Sequence, residues 1–213
     1  MNWFSLAADG SADGHDYVDL GLPSSTLWAT CNVGANAPEE HGDYFAWGET
    51  MPKTVYGLEN YKYCKGDEKQ LTKYNVKSEY GYHGFADGRT TLLSDDDAAT
   101  ANWGCGWHTP TKEQWRELLD NTTHQWTARN GVEGRLFISK KNGKSLFLPA
   151  TGTRSDDGLY YAGSNGNYWS SSLSTYYPSR AWSFYFPSDN YGMYYDGYRR
   201  DGGLSVRPVR SAR

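Results

Sequence analysis

Apolar residues in this chain come in short runs, and 24 glycines and 8 prolines spread along all 213 residues break one run from the next. Punctuation of that density predicts a folded, loop-rich protein, most of whose length is short strands and turns. Hydrophobic residues make up only 38% of the chain, but 34 side chains are aromatic (9 Trp, 18 Tyr and 7 Phe). Each ring can bury roughly 150 to 250 Å², so a sizeable core can be built from few residues. The length fits one domain better than two.

Charge narrows the partners. A net charge of -4 and a sequence pI near 5.7 argue against nucleic acid, whose binding rests on clustered Lys and Arg. No stretch approaches the roughly 18 consecutive apolar residues that cross a bilayer, so no membrane span is expected in this chain. Met1 to Ala8 lacks the basic start and long apolar stretch of a secretory signal, and for an exported protein the signal or anchor would lie outside these residues. Cys31, Cys64 and Cys105 allow at most one intrachain disulfide. His15, His41, His83, His108 and His124 are dispersed, with no zinc-type spacing and no H-E-x-x-H.

Residues 1–15 are rich in Gly, Ala, Ser and Asp and read as an N-terminal tail or linker, with one domain over 16–210. Strand-type runs follow at Tyr17 to Leu20, Thr26 to Ala29 and Tyr44 to Trp47, and residues 50–94 read as mostly loop anchored by Tyr61, Tyr63 and Tyr74. Asp95, Asp96 and Asp97 precede an Ala-rich helix, where carboxylates suit the unpaired N–H groups of its start. A second helix is predicted over about Lys112 to Asn121. Thr111 and Gln114 fit a capping box there, and Trp115, Leu118 and Leu119 share one face. Beyond it the pattern is all strand: a hairpin across Lys141-Asn142-Gly143, then Tyr168 to Ser171, Ala181 to Phe186, Met193 to Tyr195 and Leu204 to Val209. Alternation puts Trp182, Phe184 and Phe186 on a core face and predicts that Ser183 and Tyr185 look outward.

Composition shifts in the last third. Lys144 is the final lysine and Glu133 the final glutamate, while 10 of the 18 tyrosines fall between Tyr160 and Tyr198. Lys and Glu are the ordinary residues that keep a surface solvated and free of partners, so a face without them reads as one built for contact. The candidate ligand-binding residues are Tyr176, Tyr177, Ser179, Arg180, Tyr185, Asp189, Asn190, Tyr191, Tyr194, Tyr195, Asp196, Tyr198, Arg199 and Asp201. Tyrosine suits such a face, because it offers a large flat ring and a hydroxyl with only two torsions to freeze.

Several ordered stretches resemble the Fibrobacter succinogenes major paralogous domain of surface proteins in gut Bacteroidetes. They are Tyr17-Val18-Asp19-Leu20-Gly21-Leu22, Trp28-Ala29-Thr30-Cys31-Asn32-Val33-Gly34-Ala35, Gly42-Asp43-Tyr44-Phe45-Ala46-Trp47-Gly48-Glu49-Thr50, Pro110-Thr111-Lys112-Glu113-Gln114-Trp115, Leu148-Pro149-Ala150, Tyr168-Trp169-Ser170-Ser171-Ser172 and Ser205-Val206-Arg207-Pro208-Val209. The resemblance spans about 16–210. It implies an α+β, C-type-lectin-like fold of the formylglycine-generating-enzyme subtype, with short antiparallel strands, two helices and long loops.

The same fold serves variable proteins of diversity-generating retroelements, in which adenine-directed mutagenesis rewrites a C-terminal segment, here about 168–209. AAY codons randomised at both adenines never yield Lys, Glu, Gln, Met or Trp. The candidate residues, and Ser188 with them, fall within the allowed set, whereas Trp169, Trp182 and Met193 read as fixed scaffold. The resemblance therefore implies an adhesin-like, non-catalytic binding protein. Its ligand would be a protein or glycan on another cell, host or phage target, and its place the cell surface, the extracellular space or a phage particle. Relatives of the fold occur alone and as trimers, so no oligomeric state follows.

Two alternatives stand beside that reading. Formylglycine-generating enzymes use a C-terminal cysteine pair, and no cysteine follows Cys105 in this chain. A purely structural module of a longer surface protein would instead pack the Tyr-rich face against a neighbour. No cofactor is expected. A structural Ca²⁺ at Asp95 to Asp97, or at Asp156 and Asp157, competes with plain capping and turn roles, which are favoured because neither run fits the twelve-residue calcium loop.

Overall fold

The computed structural model describes residues 8–189 and 194–212, with side chains described for all of these except residues 194–196. Fourteen strands and two α-helices follow one another along the described residues. They are β1 (Gly10–Ala12), β2 (His15–Val18), β3 (Thr26–Ala29), β4 (Tyr44–Phe45), α1 (Ala98–Trp103), α2 (Lys112–Asn121), β5 (Thr122–Arg129), β6 (Val132–Ser139), β7 (Ser145–Pro149), β8 (Thr153–Ser155), β9 (Gly158–Tyr160), β10 (Asn165–Leu173), β11 (Arg180–Pro187), β12 (Tyr194–Arg199), β13 (Leu204–Ser205) and β14 (Val209–Ser211). Strand pairing starts at Gly10, inside the stretch read as a tail, where β1 and β2 form a hairpin.

The expected α+β, C-type-lectin-like fold is overturned. Among the described residues the chain is mostly β, with 37% strand against 14% helix, four small separate sheets, and α2 as the only helix of seven or more residues. Local chemistry accounts for the helix shortfall. Asp97 caps α1 by accepting from the Ala99 and Thr100 amides, but the helix ends after six residues at Gly104, whose φ of 98° lies outside the range a side-chain-bearing residue readily adopts. Residues 50–94 make short 3-10 turns and isolated β-bridges, among them Cys64 with Leu71 and Thr91 with Ser172, pinned by buried Tyr56, Tyr61, Tyr63 and Tyr74. By contrast α2 has the predicted bounds, and both halves of the Thr111/Gln114 capping box are formed.

The five-stranded sheet runs in the order β12-β11-β10-β13-β4 and places the C-terminal third. One face packs on Trp115 and Leu118 of α2 and on Phe137, Leu146 and Leu148 of the β5-β6-β7 sheet, through Tyr168, Phe184 and Phe186. The opposite face packs, through Trp169, Leu173 and Ala181, on a second cluster that includes Trp47, Tyr61, Tyr74 and Trp107. Because both faces are covered, the expectation that Ser183 looks outward fails: it is 2% exposed. Tyr185 is half-buried. The edge strands of this sheet are β12 and β4.

The recurring motifs meet one another inside this framework. Trp47 Nε1 donates to the Ser170 carbonyl at 2.8 Å, Trp169 Nε1 to Phe45 at 2.6 Å, Trp115 Nε1 to Trp169 at 3.2 Å, and the Tyr168 hydroxyl to Pro149 at 2.6 Å. Arg207, fully buried, donates to Asn32 Oδ1 and to the Ala29 and Thr30 carbonyls, tying the chain's end to β3.

Candidate ligand-binding surface

At one end of the five-stranded sheet the chain leaves β10 at Leu173 and re-enters as β11 at Arg180. The connecting turn is closed locally: the Tyr177 amide donates to Ser174 Oγ at 3.2 Å, and the Arg180 amide to the Tyr177 carbonyl at 2.8 Å. Pro178, buried and fixed at φ, stiffens it. Tyr176 and Tyr177 stand out from this turn, 70% and 49% exposed, with their rings edge to face at 4.7 Å. Strand β12 returns to the same end, where Arg199 lies opposite Arg180 and Tyr198 opposite Ala181. The Arg180 guanidinium donates to the Gly197 carbonyl at 2.8 Å, and Arg199 holds Asp201 through two bonds of 3.1 and 2.6 Å.

A buried cation supports the turn from beneath. Arg200 donates to the Tyr61 hydroxyl at 2.9 Å and to the carbonyls of Pro178 (3.0 Å), Tyr74 (3.1 Å) and Lys73 (2.9 Å). Its guanidinium also lies 5.0 Å from the Trp47 ring centre and 5.4 Å from that of Tyr61. A buried charge is costly unless its donors are met, and here four oxygens and two ring faces meet them. Burial pushes the Tyr61 hydroxyl well above its ordinary pKa, so it stays a neutral acceptor for Arg200.

Asp96 secures the loop on which Arg200 acts. Its buried carboxylate accepts from Tyr74 Oη at 2.5 Å, from Tyr63 Oη and from Lys73 Nζ, with Lys62 Nζ at 3.5 Å. Burial opposes the charge, but these donors outweigh it and hold the acid at about 2. The neighbouring Asp97 accepts from the Thr109 amide and hydroxyl as well as from the start of α1. Asp97 thus caps α1, as the capping reading of this run expects, whereas Asp96 caps no helix and is held by side-chain donors of the preceding loop. Asp156 sits at the tight turn between β8 and β9, with a φ of 51°. Among the described residues no group of three or more His, Cys, Asp or Glu side chains is placed to hold a metal ion. Cys31, Cys64 and Cys105 are free thiols.

The structure divides the predicted residues. Tyr176, Tyr177, Ser179, Arg180, Tyr198, Arg199 and Asp201 gather at the end just described. Tyr185, Ser188 and Asp189 lie at the opposite end of β11, about 23 Å away at strand spacing. Ser188 and Asp189 are exposed. Asn190 and Tyr191, with Met193, lie outside the described residues. The backbones of Tyr194, Tyr195 and Asp196 pair with Tyr185, Phe184 and Ser183. Two members of the first group belong to the framework instead of the surface: Tyr198 packs on the core with its ring 6.0 Å from Trp169, and Asp201 is buried under Arg199. Trp169 is buried, and Trp182 is half-buried beneath Lys112 Nζ at 5.2 Å.

Sequence reasoning missed Lys77 and Arg200. Lys77 lies 99 positions before Tyr176, yet it donates to the Tyr176 carbonyl at 2.9 Å and sits 5.1 Å from that ring's centre. Nothing in the sequence joins such distant positions. Arg199 and Arg200 are the same residue type side by side, and Tyr198-Arg199-Arg200-Asp201 gives no clue to which arginine turns inward.

No helix among the described residues is long and apolar enough to cross a membrane. A scan against protein-family models, a search of curated proteins and a search of solved structures each return no match.

Proposed function

We propose that this chain is a non-catalytic, adhesin-like binding protein whose ligand surface is carried by the Tyr-rich C-terminal third. One observation carries the reading: Tyr176 and Tyr177 project into solvent from a turn whose main chain is held by buried groups beneath it. Large rings exposed in this way cost little to order on binding, and truncating one such central contact typically costs about 2 kcal/mol or more of affinity. The contact set centres on Tyr176, Tyr177, Ser179, Arg180 and Arg199, with Ser188 and Asp189 as a second patch at the far end of β11. The ligand is a protein or glycan on another cell, host or phage target, met at a cell surface, outside the cell or on a phage particle.

The resemblance to the Fibrobacter succinogenes major paralogous domain motifs, together with the codon pattern, supports diversification of this surface by a retroelement. The framework would tolerate it, since Trp169, Arg200 and Arg207 anchor the strands from inside. Sequencing the gene across one population tests the reading. Substitutions confined to codons of the exposed Tyr, Ser, Arg and Asp residues, beside a near-identical template repeat and a reverse transcriptase gene, are expected. An invariant segment with no template nearby overturns the retroelement part.

A further inference from the structure

The two ends of β11 are held in the same way. Just before the strand, the Pro178 carbonyl accepts from Arg200 at 3.0 Å; at its last residue, the Pro187 carbonyl accepts from Arg135 Nη2 at 2.7 Å. Arg135 is buried like Arg200, and its guanidinium lies 5.7 Å from the Trp126 ring centre and 5.9 Å from that of Phe186. Each proline is followed by a serine of the candidate surface, Ser179 at one end and Ser188 at the other. The remaining partners differ. Arg200 gives its other hydrogen bonds to the Tyr61 hydroxyl and to the main-chain carbonyls of Tyr74 and Lys73. Arg135 Nη1 donates to His124 Nδ1 at 3.1 Å, and its Nε has no partner among the described residues. A guanidinium can only donate, so the Nδ1 it faces accepts, and His124 is the neutral tautomer with its proton on Nε2.

We propose that Arg135 positions Ser188 and Asp189 as Arg200 positions the Tyr176 turn, and that protonation of His124 releases this second anchor in acid while the first stays fixed. This rests on the binding reading above for its consequence: the second patch would be acid-sensitive and the first would not. A protonated imidazole offers no acceptor, and it sets a second cation against a buried one. Burial and the positive charges of Arg135 and Lys140 all lower the His124 pKa from its ordinary value, and no acid bears on the ring to hold the imidazolium in place. Glu133, two places along β6 from Arg135, is taken by Trp126 Nε1 at 2.7 Å. With Nε and Nη1 both unmet, the guanidinium keeps one hydrogen bond, too few to offset its burial. Asp189 is the acid whose charge reaches Arg135, and it is exposed, so the released side chain moves toward Asp189 and water. The Tyr61 hydroxyl that Arg200 uses stays neutral through the same range.

Nuclear magnetic resonance of the full chain tests this, because the amide nitrogens of Ser179 and Ser188 share peptide groups with the two proline carbonyls and respond to the bonds those carbonyls accept. As pH falls from about 7.5 to about 5, the Ser188 amide signal should shift in one step with the His124 ring signals, at a midpoint below 6.5, while Ser179 does not follow. In His124→Asn, whose side-chain oxygen accepts at every pH, the step should vanish and Ser188 should keep its neutral-pH position. In Arg135→Gln the Ser188 signal should be displaced at neutral pH already, and the step lost. A Ser188 signal that does not move with His124, a step that persists in His124→Asn, or a Ser179 signal that follows the same transition overturns the proposal. So does an Arg135→Gln chain that folds and leaves Ser188 where it was; should that variant fail to fold, the parent and His124→Asn titrations decide the claim by themselves. None of these outcomes bears on the exposure of Tyr176 and Tyr177, so the anchor can fail while the binding reading stands.

Discussion

Arg200 reaches the Pro178 carbonyl at 3.0 Å from within the core, so the turn that displays Tyr176 and Tyr177 is held through its backbone and not through the rings it displays. Holding the main chain leaves the side chains above it free to change.

The neighbouring arginines should therefore behave in opposite ways. Arg200→Gln strands the buried acceptors of Pro178, Tyr74 and Lys73 and should cost about 3 kcal/mol or more. Arg199→Gln removes an exposed cation from the buried Asp201 carboxylate, which water can reach in its place, and should cost less, about 1 to 2 kcal/mol. Urea unfolding of both variants checks this, and equal losses would place the turn's support elsewhere.

The tyrosines divide along the same line. Tyr176→Ala and Tyr177→Ala together should stay within about 0.5 kcal/mol of the parent, as surface changes do. Tyr198→Ala opens the packing against Trp169 and should cost about 1 to 3 kcal/mol. Thermal melts followed by near-ultraviolet circular dichroism would show the difference.

Asp96 and Asp97 are adjacent but titrate in opposite directions. Asp96 ionises at about 2, below its unfolded value of 3.8, so its contribution to stability is complete well above 3.8 and is lost as pH falls through about 2. Burial raises Asp97 despite its donors, so its ionised form opposes folding. Stability measured from pH 5 to pH 2 should lose much of its acid slope in Asp96→Asn. In Asp97→Asn the slope should remain or steepen.

Where short-range chemistry decides, the sequence is a good guide. The capping box and apolar face of α2 lie within ten residues, the hairpin at Lys141 to Gly143 is a local turn, and β3 has its predicted bounds. Where pairing or layering decides, it is a poor one. Thr122–Arg129 carries one large apolar residue, Trp126, and is a strand because all eight of its residues pair with β6. Ser183 was expected on an open face because alternation cannot reveal a second layer above it. The candidate residues form a single stretch in sequence, yet β11 sets them at two ends of a sheet. Asp201 is chemically like the exposed Asp189, and only the fold buries it.

The central claim is that the framework does not need the side chains it displays. A library randomised with NNY codons at 176, 177, 179, 180, 188 and 189, displayed on cells and challenged with protease, measures this directly. Most variants at these six positions should survive as well as the parent, while parallel libraries at Trp169, Arg200 and Arg207 are depleted. Depletion at Tyr176 and Tyr177 to the level of Trp169 would contradict the account.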